Sequence, residues 1–208
     1  MPAINETIVR EFFELHGFLV RQQRKYVSPV RKQQDEDDDI DFFVLNPRPQ
    51  SSSKTLTFVL SSSDLPRIHR AIVVVKGWHT ETFSEARLSN TPTIFRFVEE
   101  KVFQQAVRAF GADGAPSKIL VLPALPMDAI AREQSIALLR SKGIDAVLPF
   151  RTILADLVNE TESNRNYEKS DLLQVIRILK NYDFIKDPQL EFFKARRRTA
   201  RKRPTSET

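Results

Sequence analysis

The apolar residues of the chain recur at two spacings, one typical of helices and one typical of strands. In residues 5–16, Ile8, Phe12 and Leu15 follow the helical spacing and predict an amphipathic helix. Asn5 can cap this helix and Gly17 can end it. The same spacing predicts four further helices, over residues 94–110, 129–140, 152–158 and 171–181.

Short apolar runs between these helices predict β-strands. The most apolar run, residues 71–76, places four β-branched residues before Lys76, a composition typical of a strand buried on both faces. Five other runs predict further strands, over residues 18–26, 41–46, 54–60, 118–125 and 145–150. Strands bracketed by helices favour an α/β fold, a three-layer sandwich in which a mixed central β-sheet is flanked by helices.

A polar link divides the chain. It covers residues 159–168 and separates the predicted α/β domain, residues 1–158, from a helical appendage, residues 159–193. A basic tail follows, residues 194–208, and we expect no packed structure in it because it is almost wholly polar.

Charge is concentrated in that tail. The net charge of the chain is +5, but residues 194–203 contain seven of its 32 basic residues. The 25 others are balanced by 26 acids in residues 1–193, so this part carries about −1. A basic tail of this kind is typical of an arm that binds an anionic partner, with a merely solubilising end as the alternative.

Several classes of protein have no support in the sequence. Cysteine is absent, which excludes disulfides and cysteine-ligated metal sites. No apolar run approaches the ~18 residues of a membrane span, and the first residues do not resemble a signal peptide, so we expect a cytoplasmic protein. The glycine-rich motifs of nucleotide-binding proteins and the nucleophile motif of α/β-hydrolases are missing as well.

Lys76 is the first candidate for chemistry. A lysine at the end of a buried strand costs free energy unless it is paired or used. The nearest dense acids are residues 35–41, six acids in seven positions, of which Asp41 opens a predicted strand. We therefore expect Lys76 and Asp41 to form the two ends of one site that can hold a phosphate or orient a water.

The order of these features resembles the restriction-endonuclease-like, or PD-(D/E)XK, nuclease superfamily, nearest to its Holliday-junction-resolvase-like and repair branches. The resemblance covers roughly residues 5–150. It rests on a helix glutamate, a Gly-Phe pair eleven residues later, an aspartate that opens a strand and a lysine that ends the third strand: Glu6, Gly17, Phe18, Asp41 and Lys76. The resemblance implies that Asp41, Lys76 and Glu6 are catalytic, that Asp41 helps to bind Mg²⁺, and that Lys76 orients the attacking water.

One position departs from the superfamily's motif. The second metal-binding acid falls on Val74, which cannot bind a metal. In the first alternative the nuclease site is degraded and the fold survives as a nucleic-acid-binding or scaffold domain. In the second, an active Mg²⁺-dependent endonuclease recruits a carboxylate of the next helix, Glu99 or Glu100. In the third the resemblance is accidental. A further functional alternative is a non-catalytic protein-interaction module, in which the fold is only a platform and the basic tail binds a partner protein or RNA.

Each of these residues also has a purely structural alternative. Lys76 can extend its amine to solvent at a strand end, and Asp41 can be the last member of a solvated acidic run. Glu6 can stabilise the first turn of its helix through the helix dipole. Trp78 is interpreted as a packing residue ahead of a base-stacking platform.

Nucleic acid, with DNA favoured over RNA, is the expected partner, and a homodimer is left open. Phosphate contacts from basic side chains give affinity that is salt-sensitive and independent of base sequence. The candidates are a basic strip before the acidic run and three arginines of the tail: Arg21, Arg24, Lys25, Arg31, Lys32, Arg196, Arg197 and Arg198.

Overall fold

Five strands form one mixed sheet in the first of the two compact units of the chain, residues 1–158. The computed structural model describes residues 2–22, 40–50, 56–111 and 114–185. The strands are β1 (Leu19–Gln22), β2 (Phe42–Leu45), β3 (Arg70–Val75), β4 (Ser117–Leu122) and β5 (Ala146–Pro149). They lie side by side in chain order; β1, β2 and β3 are antiparallel, whereas β3, β4 and β5 are parallel. The predicted α/β fold with a mixed sheet is confirmed.

The central strand, β3, contains the most apolar run of the sequence. Residues 71–74 of β3 are buried, because the strand has a neighbour on each side and packed side chains on both faces. β-Branched residues fit such a strand because their stiff side chains pack well on a pleated surface.

The described part of the chain contains six α-helices: α1 (Pro2–Leu15), α2 (Glu85–Ser89), α3 (Glu100–Phe110), α4 (Ala129–Ser141), α5 (Phe150–Glu160) and α6 (Asp171–Asn181). The 3₁₀ helices Ser62–Arg67 and Pro92–Val98 lie in described connections. The longest helix in the described ranges, α1, has 14 residues, and none of them could span a bilayer, which takes about 20.

The two faces of the sheet pack against different helices. Ile72 and Val74 of β3 belong to a core cluster that also contains Val102 of α3 and Leu139 of α4. Successive side chains of a strand point to opposite faces. Val75 therefore faces the other side, where residues of α1 and α5 lie next to it.

Two predicted elements are wrong. Residues 54–60 are not a strand in their described part, since Val59 makes only an isolated parallel bridge to Val147. The alternation in this segment reflects the burial of Phe58 and Leu60, which pack without pairing along a strand. The predicted helix over residues 94–110 is interrupted at Glu99, whose extended backbone (φ −60°, ψ 139°) separates the 3₁₀ helix from α3.

The second unit begins at Asn159 and contains α6. The Ser170 side chain caps this helix by accepting a hydrogen bond from the Leu173 amide. Leu173 and Ile176 are buried, whereas Val175 and Ile178 are exposed, so α6 has one buried and one partly apolar exposed side.

Candidate functional site

A cleft of about 680 Å³ opens at the carboxyl end of β3. Three elements form it: the first turns of α1, the end of β3 with the loop that follows, and the first turns of α5. Its apolar walls are Ile4, Ile8, Val75, Trp78, Phe150 and Leu154. Its polar side chains are Asn5, Glu6, Lys76 and His79.

At one side of the cleft, α1 and the loop after β3 approach each other closely at Gly77. A Cβ atom built on Gly77 would lie 1.7 Å from Asn5 Nδ2, far closer than two atoms can approach. A larger residue at position 77 would force the Asn5 side chain to move.

Asn5 ties this loop to α1. Its Oδ1 lies 2.8 Å from His79 Nε2, and its Nδ2 lies 3.5 Å from the Gly77 carbonyl oxygen. The His79 ring in turn meets the ring of Phe150 edge to face, with centroids 4.6 Å apart. The loop is thus held between α1 and α5, which fixes one wall of the cleft.

Glu6 and Lys76, two of the three residues predicted to be catalytic, lie in this cleft together. The Lys76 amide donates to the Val121 carbonyl at 2.9 Å, so its backbone extends the pairing of β3 with β4. Glu6 Oε2 accepts a hydrogen bond from Gln22 Nε2 at 2.6 Å, which holds the carboxylate near the end of β1.

Asp41, the third predicted catalytic residue, lies at the same edge of the sheet but does not line the cleft. It is 7% exposed, and its Oδ2 accepts a hydrogen bond from the Val75 amide at 2.7 Å. Its own amide donates to the Val73 carbonyl at 3.1 Å. The Asp41 carboxylate thus binds the last residue of β3, directly before Lys76.

The side chains that the structure describes at this edge do not fit a magnesium site. Val74 is 1% exposed in the core cluster, and Glu99 and Glu100 are exposed at the start of α3, where Gln104 donates to Glu100. Nowhere in the described ranges do three or more histidine, aspartate or glutamate side chains form a group that could hold a metal ion. Mg²⁺ is bound through near-octahedral oxygens, with carboxylates as its protein ligands.

Most of the predicted nucleic-acid-binding residues lie outside the described part of the chain. These are Arg24, Lys25, Arg31, Lys32, Arg196, Arg197 and Arg198. Arg21 is described: it is exposed on β1, and its guanidinium carbon lies 5.8 Å from the centroid of the Phe43 ring. Because Phe43 belongs to the core cluster of α3 and α4, Arg21 lies on the face away from the cleft.

Four residues of the cleft were missed as functional residues or given another role. Asn5 was expected to cap the first helix, but α1 begins at Pro2 and leaves the Asn5 side chain to the loop. Phe150 and Leu154 carry no polar signal, and His79 is one of three dispersed histidines. The contact between Gly77 and Asn5 joins residues that are far apart in the chain, and no pattern in the sequence indicates it.

Trp78 is held by packing. Its ring is stacked on Phe83, with centroids 5.8 Å apart and planes 13° apart, and the Arg87 guanidinium carbon lies 5.4 Å from its centroid. Trp78 is nevertheless 39% exposed and lines the cleft.

Comparison of the chain with protein-family models, with curated proteins and with solved structures finds no match.

Proposed function

We propose that this chain is a cytoplasmic nucleic-acid-binding protein with a restriction-endonuclease-like sandwich whose metal-dependent nuclease site has degraded. The cleft at the carboxyl end of β3 is its binding site. The strongest support is the grouping of Glu6 and Lys76 in that cleft, with Asp41 at the same edge, while the remaining motif position is the buried Val74.

The helices that border the cleft add to this support. Both α1 and α5 begin at it, since Ile4, Asn5 and Glu6 lie in the first turns of α1 and Phe150 is the first residue of α5. The amino end of a helix carries a partial positive charge and unpaired amide groups, which favour a phosphate. Lys76 adds a full positive charge to the same place.

The expected chemistry is binding without hydrolysis. Lys76 neutralises a phosphate oxygen, and the helix ends stabilise the negative charge by electrostatic attraction. Among the described residues that line the cleft, Glu6 is the single carboxylate, which is too few for Mg²⁺ ligation. An endonuclease that uses Asp41 with Glu99 or Glu100 remains the alternative, and it requires these acids to leave the positions described above.

Titration of a labelled DNA oligonucleotide, followed by fluorescence anisotropy, tests the proposal. We expect salt-sensitive binding that weakens about five- to tenfold in Lys76→Met, because one phosphate contact is lost. Lys169→Met is the matched control, since it removes the same charge from an exposed position in the second unit. No binding of any nucleic acid, or equal losses in the two variants, would overturn the proposal.

The endonuclease alternative has its own test. Linear and branched DNA are incubated with the chain in the presence of Mg²⁺ or Mn²⁺, and the products are separated by size. Cleavage that disappears in Lys76→Met would establish the alternative, and intact DNA alongside measurable binding would support the proposal.

A further inference from the structure

We propose that the cleft holds one unpaired nucleobase, so that the chain prefers single-stranded or locally unpaired nucleic acid to duplex. This inference rests on the proposed function and names the part of the nucleic acid that enters the cleft. It is carried by the composition of the cleft walls.

The cleft contains charges of both signs. Among the described residues that line it, Lys76 is positively charged and Glu6 is negatively charged. A phosphate inside the cleft would therefore lie close to a carboxylate as well as to the lysine. A neutral ring beside Glu6, with its phosphate on Lys76 and the helix ends, avoids this repulsion.

The walls of the cleft are apolar and open to solvent. Leu154 is 43% exposed and Ile4 is 59% exposed, although large apolar side chains gain free energy from burial. The faces of a nucleobase are apolar and flat, and stacking one on a protein surface contributes about 1–3 kcal/mol. The volume of about 680 Å³ also falls within the range of roughly 300–1,000 Å³ that suits small organic ligands.

Two polar groups are placed to contact the edge of such a base. Glu6 accepts from Gln22 through Oε2, which leaves Oε1 as an acceptor. His79 uses Nε2 towards Asn5, which leaves Nδ1. A carboxylate oxygen accepts from the exocyclic amino group of cytosine or adenine, and thymine has none. The cleft should therefore prefer cytosine or adenine to thymine.

Anisotropy titrations of the full chain with four probes of equal length test the inference: oligo(dC), oligo(dT), an abasic deoxyribose-phosphate strand and a duplex. Affinity should be about tenfold higher for oligo(dC) than for the abasic strand or the duplex, since one stacked base is lost. Leu154→Glu should lower the affinity for oligo(dC) about tenfold, because a buried carboxylate would meet the base. Ile130→Glu, on the exposed side of α4, is 72% exposed in the parent chain and should leave the affinity unchanged.

Further variants keep the test decisive. If circular dichroism shows that Leu154→Glu is unfolded, Ile4→Glu at the opposite wall replaces it. Independently, Glu6→Gln should reduce the preference for oligo(dC) over oligo(dT). Equal binding of all four probes, with no effect of either wall variant, would overturn the inference and leave the proposed function standing. Absence of binding to every probe would overturn both.

Discussion

The two ends of β3 each carry a cation, and the cations have opposite surroundings. Arg70, at the amino end, is 8% exposed, and its guanidinium carbon lies 6.0 Å from the centroid of Phe110, the last residue of α3. Lys76, just past the carboxyl end, is half-buried and lines a cleft. The same strand therefore presents one covered cation and one that a ligand can reach.

The two ends of β3 differ in the helix termini that lie beside them. At the amino end α3 finishes, and the rings of Phe110 and Phe43, 5.4 Å apart, fill the space beside Arg70. At the carboxyl end α1 and α5 begin, and they leave room between them. A cation at a strand end is thus no signal of function by itself, because the neighbouring helices decide whether a ligand can approach it.

Removal of the Asp41 carboxylate should have the largest effect on the stability of the carboxyl end. Asp41→Ala leaves the partly buried Val75 amide without its acceptor, and the free energy of unfolding should fall by about 2 kcal/mol. Urea denaturation measures this loss. Asp145→Ala is the matched control, since the Asp145 carboxylate also accepts from a strand amide, that of Lys118, but is exposed and water can replace it. Equal losses would contradict a bracing role for Asp41.

A side chain at position 77 should lower the free energy of unfolding slightly less than the loss of the Asp41 carboxylate does. Gly77→Ala forces its Cβ against Asn5, and we expect a loss of about 1–2 kcal/mol together with weaker nucleic-acid binding. The Asn5→Ala/Gly77→Ala double variant relieves the contact, so the two losses should add up to more than the loss of the double variant. Strictly additive losses in urea denaturation would show that the contact does not limit the loop.

Lys76 should control the salt dependence of binding more than stability. In Lys76→Met the slope of log affinity against log salt should decrease by about one, the value for one lost phosphate contact. The free energy of unfolding should stay within about 0.5 kcal/mol of the parent value, because methionine packs much as the aliphatic part of lysine does. An unchanged slope would place the phosphate contact elsewhere.

Arg70→Met should change stability and leave DNA affinity unchanged, which is the reverse of the result expected for Lys76→Met. Its Nε is buried and has no hydrogen-bond partner among the described residues. Arg70→Met removes a poorly solvated charge and keeps the stem, so stability should rise by about 0.5–1 kcal/mol while DNA affinity stays unchanged. Loss of affinity in this variant, measured by the same anisotropy titration, would contradict the contrast between the two ends of β3.

The sequence predicted the sheet because its strands are marked by short apolar runs, and β3, with four consecutive β-branched residues, is the clearest example. It predicted the shared edge of Asp41 and Lys76 because neighbouring strands bring their ends together. It failed at residues 94–110, where helical spacing hides the extended backbone of Glu99. It also missed the apolar walls of the cleft, since Leu154 and Phe150 are ordinary helix residues whose exposure depends on the packing of α5.

The bridge of Val59 to β5 has a consequence for self-association. Val147 donates to the Phe58 carbonyl and accepts from the Leu60 amide, so this border of the sheet is already occupied at that point. The opposite border is β1, which is four residues long in the described part of the chain and carries Arg21 and Gln22 there. Short, charged borders resist the strand-to-strand stacking that leads to aggregates. Both margins of the sheet thus disfavour uncontrolled polymerisation.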